Sequence, residues 1–286
     1  MISDITLGQF FPGKSPIHRL DPRTKILLAT LFIVQIFVAK NPISFVFIAL
    51  ITFILVCISG ISFKVVLKSI KPIFFILLFT ACINIFMTKG EGAPLVSWWI
   101  INIYTEGIVR AALMAMRVVI LIVGTSILLT YTTSPISLTD GIESLLSPLK
   151  IIKLPVHTFA MMMSIALRFI PTLIEETEKI MNAQKSRGAD FTSGSIVKRA
   201  KALIPILVPL FVSSFKRAEE LATAMECRCY RGDKNRTKLV KLQYRGLDFL
   251  FIALFILIFA AIIALAVIPN YINSFGIAYD ILFYQI

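Results

Sequence analysis

The sequence predicts an all-α, polytopic membrane protein with about five transmembrane helices and a cytoplasmic module of long amphipathic helices. Hydrophobic residues make up 57% of the chain and charged residues only 16%, with a mean hydropathy of +0.86. Soluble domains carry about 25% charged residues, so this composition indicates an integral membrane protein. Apolar runs close to spanning length recur along the chain. Two amphipathic helices between residues 165 and 232 separate the last run from the others.

The distribution of charge predicts which segments face the cytoplasm. The formal net charge is +13, and 18 of the 29 Lys and Arg residues fall between Lys150 and Arg245. Such clustering follows the positive-inside rule and indicates a protein of the cell membrane. We expect no nucleic-acid partner, because no basic groove interleaved with aromatic residues is visible. With only His18 and His157 as histidines, we also expect no metal site and no cofactor.

The N-terminal segment contains a false phosphate-loop pattern. Residues 8–15 match G-x-x-x-x-G-K-[ST] letter for letter. A functional loop needs a strand before it and a helix after it, whereas seven residues precede this one and Pro16 prevents a helix from starting. Asp21-Pro22 is a stronger signal, because Asp is a favoured N-cap and Pro a favoured first helical residue.

Residues 1–131 are predicted to hold a cytoplasmic N-terminal segment and four transmembrane helices. A basic loop, Lys64–Lys71, separates the second span from the third, and a loop over residues 88–104 with Trp98, Trp99 and Tyr104 resembles an interfacial aromatic belt. The apolar runs of the four spans are Ile26–Val38, Ile43–Ile58, Pro72–Met87 and Ile108–Leu129.

Two arginines lie inside the fourth predicted span, where a basic residue is costly and often functional. Arg110 is near enough to the end to reach the interface. Arg117 is deeper and is expected to face other helices. Anchoring of helix packing is the favoured interpretation for both residues, with a functional role kept open.

Residues 132–246 are predicted to form the cytoplasmic module. Pro155–Ile170 is apolar but short, and spanning there would carry the most basic segment outside. We therefore place it at the membrane surface, with a kink at Pro171 into the first long helix. Residues 189–200 are expected to form a loop, and the second long helix follows, with its apolar stripe formed by Val208, Phe211, Val212, Phe215, Ala218, Leu221, Ala222 and Met225.

Residues 247–286 are predicted to form the last transmembrane helix, Leu247–Ile268, and an extracellular tail. The tail has no Lys or Arg, which places the C-terminus outside and the N-terminus in the cytoplasm. Five spans are consistent with that orientation.

The spans lack the chemistry of several function classes. Apart from Glu106 and Asp248 at their edges, they contain no Asp or Glu. Ion-coupled carriers generally need buried ionisable groups. No arrangement of nucleophile, base or carboxylate pair is visible, so an enzyme is disfavoured.

The two long helices end in similar short motifs, Ser186-Arg187-Gly188 and Cys227-Arg228-Cys229. Gly188 and Gly232 are expected to adopt left-handed C-terminal caps. An arginine between small residues can enter a groove of a partner and contact a carboxylate through two hydrogen bonds. The alternative is that each arginine only complements the helix dipole, worth about 0.3–1 kcal/mol. Both interpretations remain open on the pattern alone.

Several segments together resemble the transmembrane T component of energy-coupling factor (ECF) transporters, the EcfT/CbiQ family. The resemblance covers nearly the whole chain. The segments that carry it are Pro12–Lys25, Thr132–Pro135, Leu167–Pro171, Ala183–Asp190, Lys216–Glu219 and Ala224–Gly232.

The resemblance implies a non-catalytic scaffold of an ATP-driven vitamin or micronutrient importer. The two long helices would be coupling helices whose motifs dock into two ATPase subunits, and the chain would also hold a substrate-binding S component in the bilayer. At the second motif, Cys replaces both small residues of the family's common Ala-Arg-Gly. The helix could therefore end at Cys229 or at Gly232, and Arg231 could share or replace the role of Arg228.

A conventional ABC permease that lines its own substrate pathway is the alternative. Such a permease should carry polar residues on several span faces. The predicted spans are nearly devoid of them.

Overall fold

A computed structural model of the chain describes residues 10–39, 41–87, 96–98, 101–152, 155–189, 191, 195–230, 232 and 242–274. The described residues form two compact units, which we call the bundle unit (10–141 and 242–274) and the helix-pair unit (142–232). The elements of the bundle unit are α1 (Pro22–Val38), α2 (Pro42–Ser59), α3 (Phe63–Ile70), α4 (Phe74–Met87), β1 (Val96–Trp98), β2 (Ile101–Ile103), α5 (Thr105–Thr125) and α9 (Gly246–Ser274). The helix α6 (Pro135–Leu145) crosses from the first unit into the second, which contains α7 (Val156–Ser186) and α8 (Ile196–Cys227).

The bundle unit is organised around α1. Asp21 caps this helix by accepting a hydrogen bond from the Arg23 backbone N–H at 2.9 Å, as the Asp-Pro pair predicts. Leu28, Phe32 and Ile36 are almost completely buried, and α1 contacts both α5 and α9. One face of α1 is therefore buried in the core of this unit, whereas Leu27, Val34 and Phe37 on its other face are 47%, 42% and 62% exposed.

A glycine on α5 allows α1 to approach closely. A Cβ atom at Gly124 would lie 2.1 Å from Cε1 of Phe32, a distance that no real contact tolerates. Small residues at such crossings let helix backbones come together in membrane proteins. Beyond this point α5 continues as a π-helical turn, Ser126–Tyr131, whose Leu128 carbonyl accepts the Thr132 hydroxyl at 3.0 Å.

Five helical segments are long and apolar enough to cross a membrane, which is the number that the sequence predicts. Four of them correspond to predicted spans, and the fifth does not. The first predicted span corresponds to α1, whose 17 residues cover about 26 Å, less than a bilayer core of roughly 30 Å. A segment predicted at the membrane surface instead meets the criteria of length and composition. The five are Pro42–Ser59, Phe63–Met87, Gly107–Tyr131, Val156–Ser186 and Gly246–Leu265.

Two predicted local features are wrong. The basic stretch Lys64–Lys71 is not a loop, because α3 and a short 3-10 turn occupy it. The loop predicted over residues 189–200 is shorter, since α8 begins at Ile196 after the N-cap Ser195, whose hydroxyl accepts the Lys198 N–H. Pro171, where a kink is predicted, lies inside the 31-residue α7, so the apolar segment before it and the first long helix form one continuous helix.

The helix-pair unit is built from α7 and α8, which pack against each other. Ile206 of α8 is 3% exposed and lies on the inward side, whereas Phe211 and Phe215 are 65% and 61% exposed. Much of the predicted apolar stripe of this helix is therefore on its outer face. Its outward members include Val208, Phe211, Val212, Phe215, Ala218 and Ala222.

In the predicted aromatic loop, β1 and β2 form an antiparallel pair with Val96 opposite Ile103. The backbone of Trp98 belongs to β1, and Trp99 lies outside the described residues. The loop prediction is thus corrected at β1 and β2, since β-branched and aromatic residues here favour an extended backbone.

Candidate functional site

The helix α7 ends in a Schellman motif centred on the first arginine. Ser186 is the last helical residue, and Arg187 is the C-cap with φ −88° and ψ 8°. The Gly188 N–H donates to the Lys185 carbonyl at 2.9 Å, and the Ala189 N–H donates to the Gln184 carbonyl at 3.0 Å. This pair of hydrogen bonds defines the motif. Gly188 has φ +86°, which confirms the predicted left-handed cap.

The helix α8 ends in the same motif. Arg228 is the C-cap with φ −88° and ψ 14°. The Cys229 N–H donates to the Glu226 carbonyl at 2.8 Å, and the Tyr230 N–H donates to the Met225 carbonyl at 3.0 Å. Arg187 and Arg228 thus occupy equivalent positions on equivalent backbone turns.

Cys229, rather than Gly232, supplies the left-handed residue of the second cap. The last helical residue is Cys227, and Cys229 has φ +56°. It is the only non-glycine residue with positive φ in the described part of the chain. Gly232 also has positive φ, at +76°, but it lies beyond the cap, so its predicted place as the cap of α8 is wrong. Arg231, proposed as a possible substitute for Arg228, lies outside the described residues.

Both motifs are open to a partner. All six of their residues are exposed, and five of the six carry a side chain. Within the described ranges, neither the Arg187 nor the Arg228 guanidinium forms a hydrogen bond or an ion pair with another residue. Each guanidinium therefore keeps its full set of donors for an external acceptor. The two motifs are Ser186, Arg187 and Gly188, and Cys227, Arg228 and Cys229.

An ion pair joins α7 to α8 within the two helices, before the arginine motifs at their C-terminal ends. The Arg217 guanidinium contacts the Glu176 carboxylate, and both side chains are partly shielded from solvent. A partly exposed pair of this kind contributes about 0.2–1 kcal/mol. The sequence did not predict this pairing, because nothing in either helix specifies which residues of the other lie opposite.

A second polar cluster joins chain-distant segments of the bundle unit. The fully buried Asp248 accepts hydrogen bonds from the Asp21 N–H at 2.8 Å and from the Arg245 N–H at 2.6 Å. The Lys25 ammonium donates to the carbonyls of Thr132 at 2.7 Å and His18 at 3.3 Å. The sequence did not predict this cluster, although an acidic residue three positions after Arg245 is a helix-start signal, because its carboxylate can accept the N–H of the capping residue.

Arg117 has a packing role in the structure, as the favoured interpretation predicts. Its guanidinium donates to the Ala39 carbonyl at 3.2 Å and lies 5.0 Å from the centre of the Phe45 ring. Ala39 is the C-cap of α1, and Phe45 is in the first turns of α2. The arginine thus holds the turn between these helices through a hydrogen bond and a cation–π contact.

The phosphate-loop pattern has no phosphate-loop geometry in its described part. A short turn, not a helix, follows Ser15, and the Ser15 hydroxyl is 2.6 Å from Nδ1 of His18. The His18 ring also occupies the space beside Gly13, where an added Cβ would lie 2.7 Å from its Cε1. The segment packs on itself instead of presenting amides to a ligand.

Comparison with known proteins gives a family for this arrangement. A family model described as cobalt transport protein (CbiQ) matches residues 13–239. A protein of Clostridium kluyveri named energy-coupling factor transporter transmembrane protein EcfT is 54% identical over 250 residues, covering 87% of this chain and 92% of the relative. A protein of the same name from Acidaminococcus fermentans is 53% identical over 264 residues, covering 90% of this chain and 97% of the relative. Another from Bacillus subtilis is 50% identical over 248 residues, covering 87% of this chain and 93% of the relative.

The matched region includes both arginine motifs and most of the described helices. The chain belongs to the CbiQ family, which includes the EcfT transmembrane proteins of energy-coupling factor transporters.

Proposed function

We propose that this chain is the energy-coupling scaffold of an ATP-driven ECF importer of a vitamin or micronutrient. In this role it joins two ATPase subunits to a substrate-binding S component in the cell membrane. The observation that carries the proposal is the repeated helix end, with Arg187 and Arg228 exposed on equivalent Schellman turns. Hydrolysis of ATP belongs to the partner subunits.

The geometry of the helix ends suits docking to two similar grooves. Each arginine follows a long helix and stands on a backbone turn closed by two hydrogen bonds. A pre-ordered turn reduces the entropy lost when the guanidinium meets a carboxylate. Two equivalent turns on one chain fit a partner that presents the same groove twice.

The outer face of α8 is proposed as part of the surface that holds the S component. Leu207, Val208, Phe211, Val212 and Phe215 are each between 57% and 65% exposed. Contiguous apolar surface of this kind marks interaction sites in proteins or membranes. An S component that is itself a membrane protein would cover such a face with apolar side chains.

The ion pair between Arg217 and Glu176 supports transmission of force through α7 and α8 together. The pair links the interior of α7 to the interior of α8. A displacement of the C-terminal end of one helix is therefore resisted by the other helix. Rearrangement of the ATPases would then move the helix pair as a body. That movement would be passed to the S component.

The proposed membrane topology places residues 132–246 in the cytoplasm, the N-terminus on the same side and the C-terminus outside. The basic residues concentrated between Lys150 and Arg245 support this orientation through the positive-inside rule. In this arrangement the apolar start of α7 lies along the membrane surface, although the helix is long enough to span.

A permease with its own pathway has less support. Two buried side-chain amides of the bundle unit donate to backbone carbonyls, Gln35 to Phe255 and Asn41 to Leu265, each at 2.9 Å. These two donors secure helix packing and are not available to bind a solute.

The test is co-purification of the full-length chain with ATPase and S subunits from membranes. An Arg187→Glu/Arg228→Glu variant should lose the ATPases while retaining the S component, because the charge now repels the acidic acceptors. A matched Lys179→Glu/Lys201→Glu variant makes the same change of charge at exposed positions within α7 and α8, and should retain both partners. Equal ATPase recovery with all three chains would refute docking through the helix ends. Failure of the native chain to recover any ATPase would refute the scaffold itself.

A further inference from the structure

A row of three lysines lies on one side of the segment formed by α3 and the turn that follows it. Lys64 and Lys68 belong to α3, and Lys71 opens the 3-10 turn Lys71–Ile73 with helical φ −52° and ψ −46°. Spacings of four and three residues place the three side chains one above another on a helix. All three lysines are exposed.

The opposite side of α3 is fixed to the bundle unit. Val66 is 3% exposed and belongs to the same hydrophobic core as α1 and α5. The helix α3 contacts α5 directly. The lysine side is thus held outward by packing, so the three ammonium groups are presented together.

The positive charge of this row is not neutralised within the described part of the chain. No Asp or Glu occurs in the sequence between Asp21 and Glu91. Among the described residues, none forms an ion pair or hydrogen bond with the side chain of Lys64, Lys68 or Lys71. Three like charges one helical turn apart repel one another, so an anionic ligand between them is favoured.

The surface that continues from the lysine row is apolar and aromatic. Phe75 and Phe79 of α4 are 76% and 59% exposed, and Leu67 beside the lysines is 52% exposed. Phe63–Met87 is one candidate membrane span, and none of its most apolar window is buried inside the protein. In a membrane protein, such a surface meets lipid tails. The lysines at its end then lie at the level of the lipid headgroups, with their alkyl stems along apolar surface.

We propose that Lys64, Lys68 and Lys71 form a binding site for anionic phospholipid headgroups. The phosphate groups of one leaflet accept hydrogen bonds from the three ammonium groups while the acyl chains cover the aromatic face of α4. This site anchors the start of the α3–α4 span at the membrane surface. It is separate from the arginine motifs and does not depend on the scaffold function.

Each lysine near an anionic surface strengthens binding by about fivefold at moderate ionic strength. Replacement of all three is therefore expected to lower the preference for anionic over zwitterionic lipid by at least about tenfold. The preference of the native chain should also weaken as salt is raised, because exposed charges are screened.

The experiment uses the purified full-length chain in nanodiscs of phosphatidylcholine with and without phosphatidylglycerol. Native mass spectrometry counts the phosphatidylglycerol molecules retained after release from the disc. The Lys64→Gln/Lys68→Gln/Lys71→Gln variant is compared with a Lys198→Gln/Arg199→Gln/Lys201→Gln control, which removes three exposed cations within one turn at the start of α8.

Loss of retained phosphatidylglycerol in the first variant alone supports the site. Equal retention in all chains, or equal loss in both variants, overturns it. A Lys→Arg triple at the same positions keeps the charge and should retain the lipid, so that a packing defect is distinguished from loss of charge.

Discussion

The carboxylate of Asp248 accepts a hydrogen bond from the backbone N–H of Asp21 at 2.8 Å, joining the starts of α9 and α1 across 227 residues of chain. The other carboxylate oxygen accepts the Arg245 N–H and so caps α9. Asp21 in turn caps α1. One buried side chain thereby fixes the beginnings of two helices at the same place.

Replacement of Asp248 by Ala is expected to destabilise the bundle unit by about 3–6 kcal/mol. Two backbone donors lose a charged acceptor, and each such hydrogen bond contributes about 1.5–3 kcal/mol. Thermal unfolding of the purified chain, followed by size-exclusion chromatography, measures the effect. Glu219→Ala, at an exposed position of α8, is the control and should unfold like the native chain. An unchanged melting temperature for Asp248→Ala would contradict the role of this cap.

Lys25→Met is expected to loosen the attachment of the N-terminal segment at a cost of about 1–3 kcal/mol. Methionine has a similar length but leaves the Thr132 and His18 carbonyls without their donor. Limited proteolysis should then cut before residue 22 faster than in the native chain. Lys14→Met removes an exposed lysine from the same segment and should not change the cutting rate.

Gly124→Ala is expected to be destabilising, although alanine is the better helix former. The added methyl group would overlap the Phe32 ring, and overpacking costs about 1–3 kcal/mol. A Phe32→Leu change in the Gly124→Ala background should recover part of this loss, as a thermal double-mutant cycle can measure. Gly246→Ala is the matched control, because nothing lies within 4 Å of a Cβ there. Strict additivity of Gly124→Ala and Phe32→Leu would contradict the contact.

Cys229→Gly is expected to stabilise the end of α8 by about 1 kcal/mol. A left-handed backbone costs a non-glycine residue roughly 1–2 kcal/mol, and Cys229 pays this cost at φ +56°. Hydrogen exchange of the Cys229 and Tyr230 amides should slow by about fivefold. Cys227→Gly, inside the helix, should instead speed exchange, and slower exchange there would show that the left-handed cap is not the cause.

The cysteines of the second motif provide a test of docking that leaves both arginines in place. In a Cys57→Ser/Cys82→Ser background, a membrane-impermeant maleimide should modify Cys227 and Cys229 in vesicles that expose the cytoplasmic face, since both are exposed. Added ATPase subunits should protect them at least about tenfold if the proposed docking occurs. A Cys227→Ser/Cys229→Ser chain, which keeps Cys57 and Cys82, is the comparison. These two are also exposed, but they lie in the apolar helices α2 and α4, where lipid should cover them, so this chain should not react from water. Unprotected labelling in a complex that co-purifies would contradict contact at this helix end.

The sequence predicted the local features of the candidate site well and their partners poorly. Both arginine motifs were identified, because a helix end depends on residues within one turn and small residues at fixed offsets mark it. The second cap was assigned to Gly232 because glycine has the strongest left-handed preference, whereas the helix stops two residues before Cys229. The Arg217–Glu176 pair was missed because α7 and α8 specify their own faces but not their mutual register.

By itself, the sequence determined that this protein is a helical membrane protein with two matching arginine helix ends, since composition and the 3.6-residue period act within single segments. Tertiary structure decided that one face of α1 is buried in the core of the bundle unit and that much of the apolar stripe of α8 faces outward. It also decided that α3 packs through Val66 and so presents its lysine side outward. The tertiary structure also decided which backbone carbonyls accept hydrogen bonds from the side chains of Lys25 and Arg117. These features depend on contacts between residues far apart in the chain, and hydrophobic patterning within a segment carries no information on which neighbour will cover it.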